Sequence, residues 1–234
     1  MKKLVTILFL IIGSQSLFFA QTADEIIDKH LQAIGGKEKL KSLNSVIMEG
    51  KVSAQGTDIT MSTMILNKKG FRLDFSLMGM EAWVIMRPDS GWSFMPFQGQ
   101  TKPDAIPMDQ LKESMDRLDL SSQLCEYKEK GNTVEYLGMD DVEGTDCHKF
   151  KVLSKNGKLT YFLIDPKSFY IVKAISKEKA GGKEFDAEVK FSNYKEVEGG
   201  YVFPYMIESN NGPFEITKIT VNVPIDDSKF TVKN

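Results

Sequence analysis

Histidine and cysteine are scarce in this chain, whose 234 residues include two of each. No Cys-x-x-Cys, His-Glu-x-x-His or Gly-x-Ser-x-Gly motif and no phosphate-binding glycine loop occurs in the sequence, so no metal centre, nucleotide site or activated nucleophile can be recognised. Asp140 and Asp141 form an acidic pair, but they precede a Glu-Gly turn and are better interpreted as solvated. The sequence therefore predicts a protein that is not an enzyme and that needs no metal and no cofactor.

Long apolar runs are absent except near the first residue. Lys2 and Lys3 precede a nine-residue, largely apolar run over residues 4–12, and Ala20 offers a small residue for cleavage. This is the layout of a secretory signal peptide, which we assign to residues 1–20. The run is too short to span a bilayer and no later run is longer, so we expect membrane contact to be peripheral at most.

An excess of charge of one sign is also missing. Without the signal peptide the net charge changes from −2 to −4, which gives no electrostatic reason to expect a nucleic acid partner. Residues 21–234 are predicted to form a single exported domain.

The two cysteines, Cys125 and Cys147, have two possible states. An oxidising compartment permits a disulfide bridge between them, which would close a loop of about 20 residues. The alternative is two free thiols, because the sequence does not show whether the Cα atoms come close enough. Neither cysteine lies near residue 20, so the predicted cleavage site offers no lipoprotein-type acyl anchor.

A short helical region is predicted at the start of the domain. Thr22 and Glu25 fit a capping box, and an apolar stripe follows at helical spacing. Gly35 and Gly36 end the helix, because glycine tolerates the left-handed backbone there. The stripe residues, which we expect to pack on a core, are Ile27, Leu31 and Ile34.

From Val46 onward the apolar period changes from the helical value to about two. In residues 70–77, for example, Phe71, Leu73 and Phe75 alternate with polar side chains, as in a half-buried strand. Strand-like runs recur at intervals of about 8–12 residues, separated by turn signals such as Asn-Gly and Gly-Gly. The pattern predicts about twelve antiparallel strands joined by hairpins.

This rhythm is interrupted over residues 98–131. The run 108–120 is predicted to form a helix, with Leu111, Met115 and Leu118 on one stripe. A helical insertion therefore separates two blocks of strands, and its apolar stripe could cover them.

Methionine is frequent for a sheet protein, with 12 residues in the chain, and 15 phenylalanines accompany it. Methionine adapts to varied apolar partners, so an apolar binding face is one interpretation, and ordinary core packing is the other. His148 alternates with Phe150 and Val152, which is more typical of a core histidine than of a metal ligand.

The stretch 70–100 resembles the outer-membrane lipoprotein carrier (LolA-like) family. The matching positions are Phe71 and Arg72 after Lys68 and Lys69, then Asp89, Gly91, Trp92, Phe94, Pro96 and Gln100. Residues 23–52 are similar to broader lipoprotein-sorting relatives of that carrier, and residues 228–232 resemble the last strand of the family. The resemblance implies an incomplete antiparallel barrel of about 11–12 strands, with short helices on its concave side.

The resemblance also implies a function, which is to shield acyl chains of lipoproteins or other lipids in the periplasm, with the envelope transfer machinery as a further partner. The cavity lining is predicted to comprise Phe71, Leu73, Phe75, Trp83, Trp92 and Phe94, with Leu111, Met115 and Leu118 as lid contacts. Strand alternation does not show which face of the two tryptophan strands points inward. The alternatives are a non-catalytic docking protein with a packed core and, third, an enzyme acting on envelope lipids or glycans.

Overall fold

The computed structural model describes four stretches of the chain: residues 23–54, 57–180, 183–210 and 212–232. The predicted signal peptide and the capping residue Thr22 lie outside the described residues. None of the helices in the described stretches has both the length and the apolar character that a membrane crossing requires.

Thirteen antiparallel strands form one sheet that does not close into a barrel, which confirms the predicted fold class. The strands are β1 (Ser45–Ala54), β2 (Thr57–Leu66), β3 (Gly70–Leu77), β4 (Met80–Met86), β5 (Gly91–Phe94), β6 (Asp104–Ala105), β7 (Thr133–Val142), β8 (Thr145–Leu153), β9 (Leu159–Ile164), β10 (Ile171–Ala180), β11 (Lys183–Val197), β12 (Tyr201–Ser209) and β13 (Gly212–Val221). The two-residue β6 is the strand that the sequence did not predict, because its pairing with β5 outweighs a weak local signal.

The order of strands in the sheet follows the chain with one exception. Strands that are consecutive in the chain pair with each other, except β6 and β7, which do not pair. In addition, β1 pairs with β13. The two edges of the sheet are therefore β6 and β7, and the segment that joins them is the predicted helical insertion. Because the barrel is open between the strands that flank the insertion, this segment is positioned to cover the opening.

One face of the sheet, which we call the inner face, carries the helices. The register aligns Val46, Ile65, Phe71 and Met86 as successive partners across β1 to β4. Two further rows of partners lie on the same face. The row across β1, β13, β12 and β11 consists of Val52, Phe214, Ile207 and Phe191. The row across β11, β10, β9 and β8 consists of Val189, Ala174, Phe162 and Phe150. The inner face is thus a continuous apolar surface, as alternation predicts.

Helix α1 (residues 23–33) packs on one part of the inner face. Its Ile27 and Leu31 lie in a buried cluster with Phe150 and Ile164. The helix ends as predicted, because Gly35 has a φ of 126° and the amide of Gly36 donates to the carbonyl of Leu31 at 2.8 Å. A short helix, α2 (Lys37–Lys41), then leads into β1.

The insertion packs on another part of the inner face. The predicted helix over 108–120 is instead two short elements, α3 (Met108–Glu113) and a 3₁₀ helix (Met115–Leu118). The break falls at Ser114, whose hydroxyl donates to the carbonyl of Gln110 at 3.1 Å, a bond that commonly bends helices. The bend brings Leu111 and Leu118, both buried, onto Phe71 and Met86.

The end of the described chain does not form the last strand that the resemblance implied. The last strand is β13, and Asp227–Phe230 forms a 3₁₀ helix. The Asp226 carboxylate caps it by accepting from the amide of Ser228 at 2.8 Å. Phe230 is fully buried against Gly70, whose missing side chain leaves the space for the ring.

The two cysteines are free thiols, so a bridge between Cys125 and Cys147 is not formed. Cys125 packs in the cluster beneath α1 on the inner face. The side chain of His148 points to that same face, since His148 pairs with Ile164. Because side chains alternate along a strand, Cys147 points to the opposite face. Burial raises the pKa of both thiols.

Candidate functional site

The inner face is covered unevenly along the strands. Near the β2–β3 turn and the start of β12, at an end of the sheet that we call the helix end, the helical segments contact the strands: the amide of Lys68 donates to the carbonyl of Leu118 at 2.8 Å, and that of Val202 to the carbonyl of Ile34 at 3.2 Å. The insertion also reaches the β8–β9 turn, where Nδ2 of Asn156 donates to the Asp116 carboxylate at 3.1 Å. At the opposite end, the tip end, β1 ends and β2 begins, and the same holds for β3 and β4, β10 and β11, and β12 and β13. Near the helix end the inner-face residues Val46 and Tyr201 are buried.

Towards the tip end the inner-face side chains are only half-buried, although they are large and apolar. They include Val52, Met61, Phe75, Phe191, Ile207 and Phe214, which we call the open patch. The outer-face residues between them are mostly polar and exposed, such as Thr60, Glu208 and Glu215. Because apolar side chains are normally buried more deeply, this partly exposed apolar surface is the best candidate for a binding site.

The electrostatics of the open patch are simple. Its six members carry no charge, and a cation lies at its border, where the Nζ of Lys195 is 4.7 Å from the centre of the Tyr205 ring. In the described part of the chain, no group of three histidine, cysteine or acidic side chains is placed to hold a metal ion. The patch can therefore offer apolar contact and one cation, and it contains no acid–base pair for chemistry.

Six of the nine predicted site residues lie on the inner side of the sheet. Phe71, Leu73, Leu111, Met115 and Leu118 belong to one cluster near the helix end. Phe75 lies further towards the tip end and contacts Phe97, with ring centres 5.9 Å apart. The predicted lid residues thus pack near Phe71 and Leu73 of β3. Whether any of the six contacts a ligand stays a prediction.

The other three residues point to the outer face, so the nine do not share one lining. Trp83 pairs with Asp74 and with Phe94, and Trp92 pairs with Ile85, all of which alternate with the inner-face residues. The sequence named these three residues as lining but left open the face of the two tryptophan strands, and the register places Trp83, Trp92 and Phe94 on the face opposite Phe71. The sequence could not decide it, because the relative phase of two strands depends on their turn.

Trp83 has a structural environment on the outer face. It lines a groove of about 560 Å³ together with Arg72 and Lys229. The Arg72 guanidinium lies 5.9 Å from the Trp83 ring and donates to both carboxylate oxygens of Asp74 and to the carbonyl of Lys229 at 3.0 Å. These contacts tie the 3₁₀ helix at residues 227–230 to β3, so they account for Arg72 and Trp83 without a ligand.

Of the six residues of the open patch, sequence reasoning named only Phe75 as a site residue, and it missed the part on β12 and β13 entirely. The signal was present, since Tyr201, Phe203, Tyr205 and Ile207 alternate along β12. What the sequence did not show is that β1 and β13 pair, which places Val52 opposite Phe214 and joins the first and last strands in one surface.

Two histidines lie near α1. His148 shares a face with Phe150 as predicted, and its Nδ1 lies 3.0 Å from the hydroxyl of Tyr136. His30 is buried on α1, with its Nδ1 2.8 Å from the carbonyl of Phe169 and its Nε2 without a partner. Burial lowers the pKa of His30, because a charged imidazole would lose its hydration there.

We expect α1 to become less stable in mild acid because of His30. A histidine with a lowered pKa in the folded state takes up protons more readily when unfolded, so its contribution to stability is lost as the pH falls below about 6.5. The free energy of unfolding, measured with urea at several pH values from 8 to 5.5, should decrease over this range. The His30→Asn variant should show a flatter dependence, and an unchanged slope would contradict the assignment to His30.

Comparison with solved structures gives many similar folds, among them three that cover most of this chain. A domain from Vibrio parahaemolyticus described as an outer membrane lipoprotein-sorting domain has a TM-score of 0.54 at 14% identity, covering 88% of this chain and 95% of that one. A LolA superfamily protein from Nitrosomonas europaea has a TM-score of 0.52 at 12% identity, covering 83% and 95%. The chain has the fold of the LolA superfamily.

A third match is a DUF1329 family protein from Desulfovibrio piger, with a TM-score of 0.50 at 14% identity, covering 88% of this chain and 96% of that one. Comparison of the sequence with protein-family models and with curated proteins gives no match. The LolA-like resemblance of residues 70–100 is therefore supported at the level of the fold. At such low identities the similarity does not extend to individual site residues.

Proposed function

We propose that this protein is a non-catalytic carrier that binds acyl chains of lipoproteins or other lipids on the open patch. The observation that carries the proposal is the half-burial of large apolar side chains at the tip end of the inner face, whereas Val46, Met86 and Tyr201 near the helix end of the same face are buried. Such a surface is unfavourable in water and gains free energy when an apolar chain covers it. The LolA-like fold adds support.

The magnitude of this gain favours a long acyl chain. Each buried CH₂ group contributes about 0.8 kcal/mol, so a chain of about ten buried carbons could contribute several kcal/mol after the cost of ordering it. The methionine of the patch, Met61, adapts its shape easily, so we expect selectivity for chain length rather than for one headgroup. Lys195 at the border is placed to attract a carboxylate or phosphate group.

The proposed setting is the bacterial periplasm. The signal peptide assigned to residues 1–20 supports export, and residues 21–234 would then act as one domain. The acyl chains would be shielded from water between membranes, and components of the lipoprotein-transfer machinery would be the protein partners. Contact with membranes would be peripheral.

Native mass spectrometry of the protein purified from its own envelope would test the proposal. We expect a co-purifying acylated species near one per chain, which extraction should identify as lipid or as lipoprotein. A bare mass, together with no uptake of an added fluorescent fatty acid, would contradict the carrier. That outcome would favour the docking protein, an alternative supported by the tightly packed clusters beneath α1 and the insertion.

A further inference from the structure

The inner face of the sheet carries one lysine among its apolar side chains. Lys195 on β11 pairs with Phe203 on β12, so the two side chains point to the same face. Phe203 shares that face with the patch residue Ile207, because side chains four positions apart in a strand lie on one side. Of the strand residues whose side chains the structure describes, no other lysine or arginine points to the inner face.

Lys195 also differs from the lysines on the outer face of the strands, because it has no acidic partner. In the described part of the chain its ammonium group makes neither an ion pair nor a hydrogen bond, and its Nζ lies 4.7 Å from the centre of the Tyr205 ring. Exposed ion pairs contribute little to stability, so the missing partner costs the fold little and leaves one positive charge free to bind a ligand. The outer-face lysines that do pair with a carboxylate are Lys51, Lys149, Lys151, Lys173, Lys177, Lys190 and Lys218.

A lysine on an apolar face has an ordinary explanation, in which its methylene groups cover apolar surface while the ammonium group reaches water. Lys195 is exposed, so this explains why the fold tolerates it. It does not explain the direction of the side chain. Tyr205 is the next inner-face residue after Phe203 on the side of the open patch, so the ammonium group over its ring lies towards the patch and away from the nearby end of β11.

The position of Lys195 suits the charged end of a chain that lies on the open patch. The patch residue Phe191 is four positions away on the same strand, which corresponds to about 13 Å. One ammonium group neutralises one negative charge. The hydroxyl of Tyr205, which has no hydrogen-bond partner among the described residues, adds a neutral donor beside it.

We propose that the open patch binds an acyl chain that ends in a singly charged anionic group, and that Lys195 binds this group. The proposal rests on the proposed carrier function and selects one of its cargo classes. A fatty acid carboxylate or a phosphodiester headgroup has the required charge, whereas the ester-linked or amide-linked acyl chains of a lipoprotein carry no charge at that end. A hydrogen bond between two charged groups is stronger than a neutral one, and the bound chain would exclude part of the surrounding water.

Competition against an uncharged fluorescent acyl ester tests the charge preference. The competitors are laurate, lauroyl lysophosphatidylglycerol and methyl laurate, which share one acyl chain. The wild-type protein should bind at least one of the two anionic ligands about tenfold more tightly than methyl laurate at low salt. Lys195→Met should remove this preference, with about a tenfold loss for the anionic ligand and less than a twofold change for the ester. The ligand that shows the loss identifies the anion as a carboxylate or a phosphodiester.

Two control variants separate the end group from general effects of charge. Lys195→Arg should keep the preference, and Lys190→Met, which removes a lysine from the outer face of the same strand, should leave all three affinities within about twofold. Equal affinity for the three ligands, a preference that persists in Lys195→Met, or equal losses in Lys195→Met and Lys190→Met would overturn the assignment to Lys195 and leave the carrier function standing. No binding of any of the three ligands by the wild-type protein would overturn both.

Discussion

Replacing Ile207 by aspartate is expected to weaken the binding of a fluorescent fatty acid at least about tenfold. Ile207 lies in the centre of the open patch, between Phe214 on β13 and Phe191 on β11. A carboxylate there would be desolvated by any acyl chain that covered the patch, and a loss of about 1.4 kcal/mol already corresponds to tenfold in affinity. Fluorescence titration of the folded variant would measure the effect.

The neighbouring residue provides a matched control. Met206 is also half-buried and apolar, but it lies on the outer face, opposite Ser192 and Glu215. Met206→Asp introduces the same charge one position away, so it should change fatty acid affinity less than about twofold. Equal losses in the two variants would mean that the inner face is not the binding surface. Circular dichroism and the melting temperature would show that both variants remain folded.

Phe230→Ala is expected to have the largest effect on stability, with a loss of about 3–5 kcal/mol in the free energy of unfolding. The ring is fully buried in the outer-face contact with Gly70, and its removal leaves a cavity. Many domains are stable by only about 5–15 kcal/mol, so the variant should unfold at a much lower urea concentration. Lys229→Ala is the control, because that side chain is exposed on the same 3₁₀ helix and should cost less than about 0.5 kcal/mol.

A double substitution tests the contact itself. A Cβ atom at Gly70 would overlap the Phe230 ring, so Gly70→Ala should destabilise the wild-type protein by about 1–3 kcal/mol. In the Phe230→Ala background the same methyl group enters the cavity, so its cost should largely disappear. Additive effects of the two substitutions would show that the ring does not occupy the space above Gly70.

The two sets of variants address different faces of one sheet. The outer face at β3 is closed by the 3₁₀ helix and by the Arg72–Asp74 pair, so substitutions there should affect stability. The inner face towards the tip end is only partly buried, so we expect substitutions there to affect binding. This division explains why the aromatic side chains in the stretch 70–100 do not form one site, although they are close together in the sequence.

The sequence by itself determined the class of the fold and most of its elements. Alternation of apolar and polar residues has a period that is local to each strand, and turn signals such as Asn156-Gly157 mark the hairpins. The same local patterns identified the helical stripe of α1, the glycines that end it and the stripe of Leu111, Met115 and Leu118. Each of these features depends on residues within a few positions of one another.

Only the tertiary structure decided which faces and ends come together. The pairing of β1 with β13 joins residues more than 150 positions apart, and no local pattern encodes it. The inner or outer direction of Trp83 and Trp92 depends on the register of β3, β4 and β5, where a shift of one residue reverses every side chain. The open patch arises in the same way, because its burial is set by how far the distant helical segments reach along the sheet.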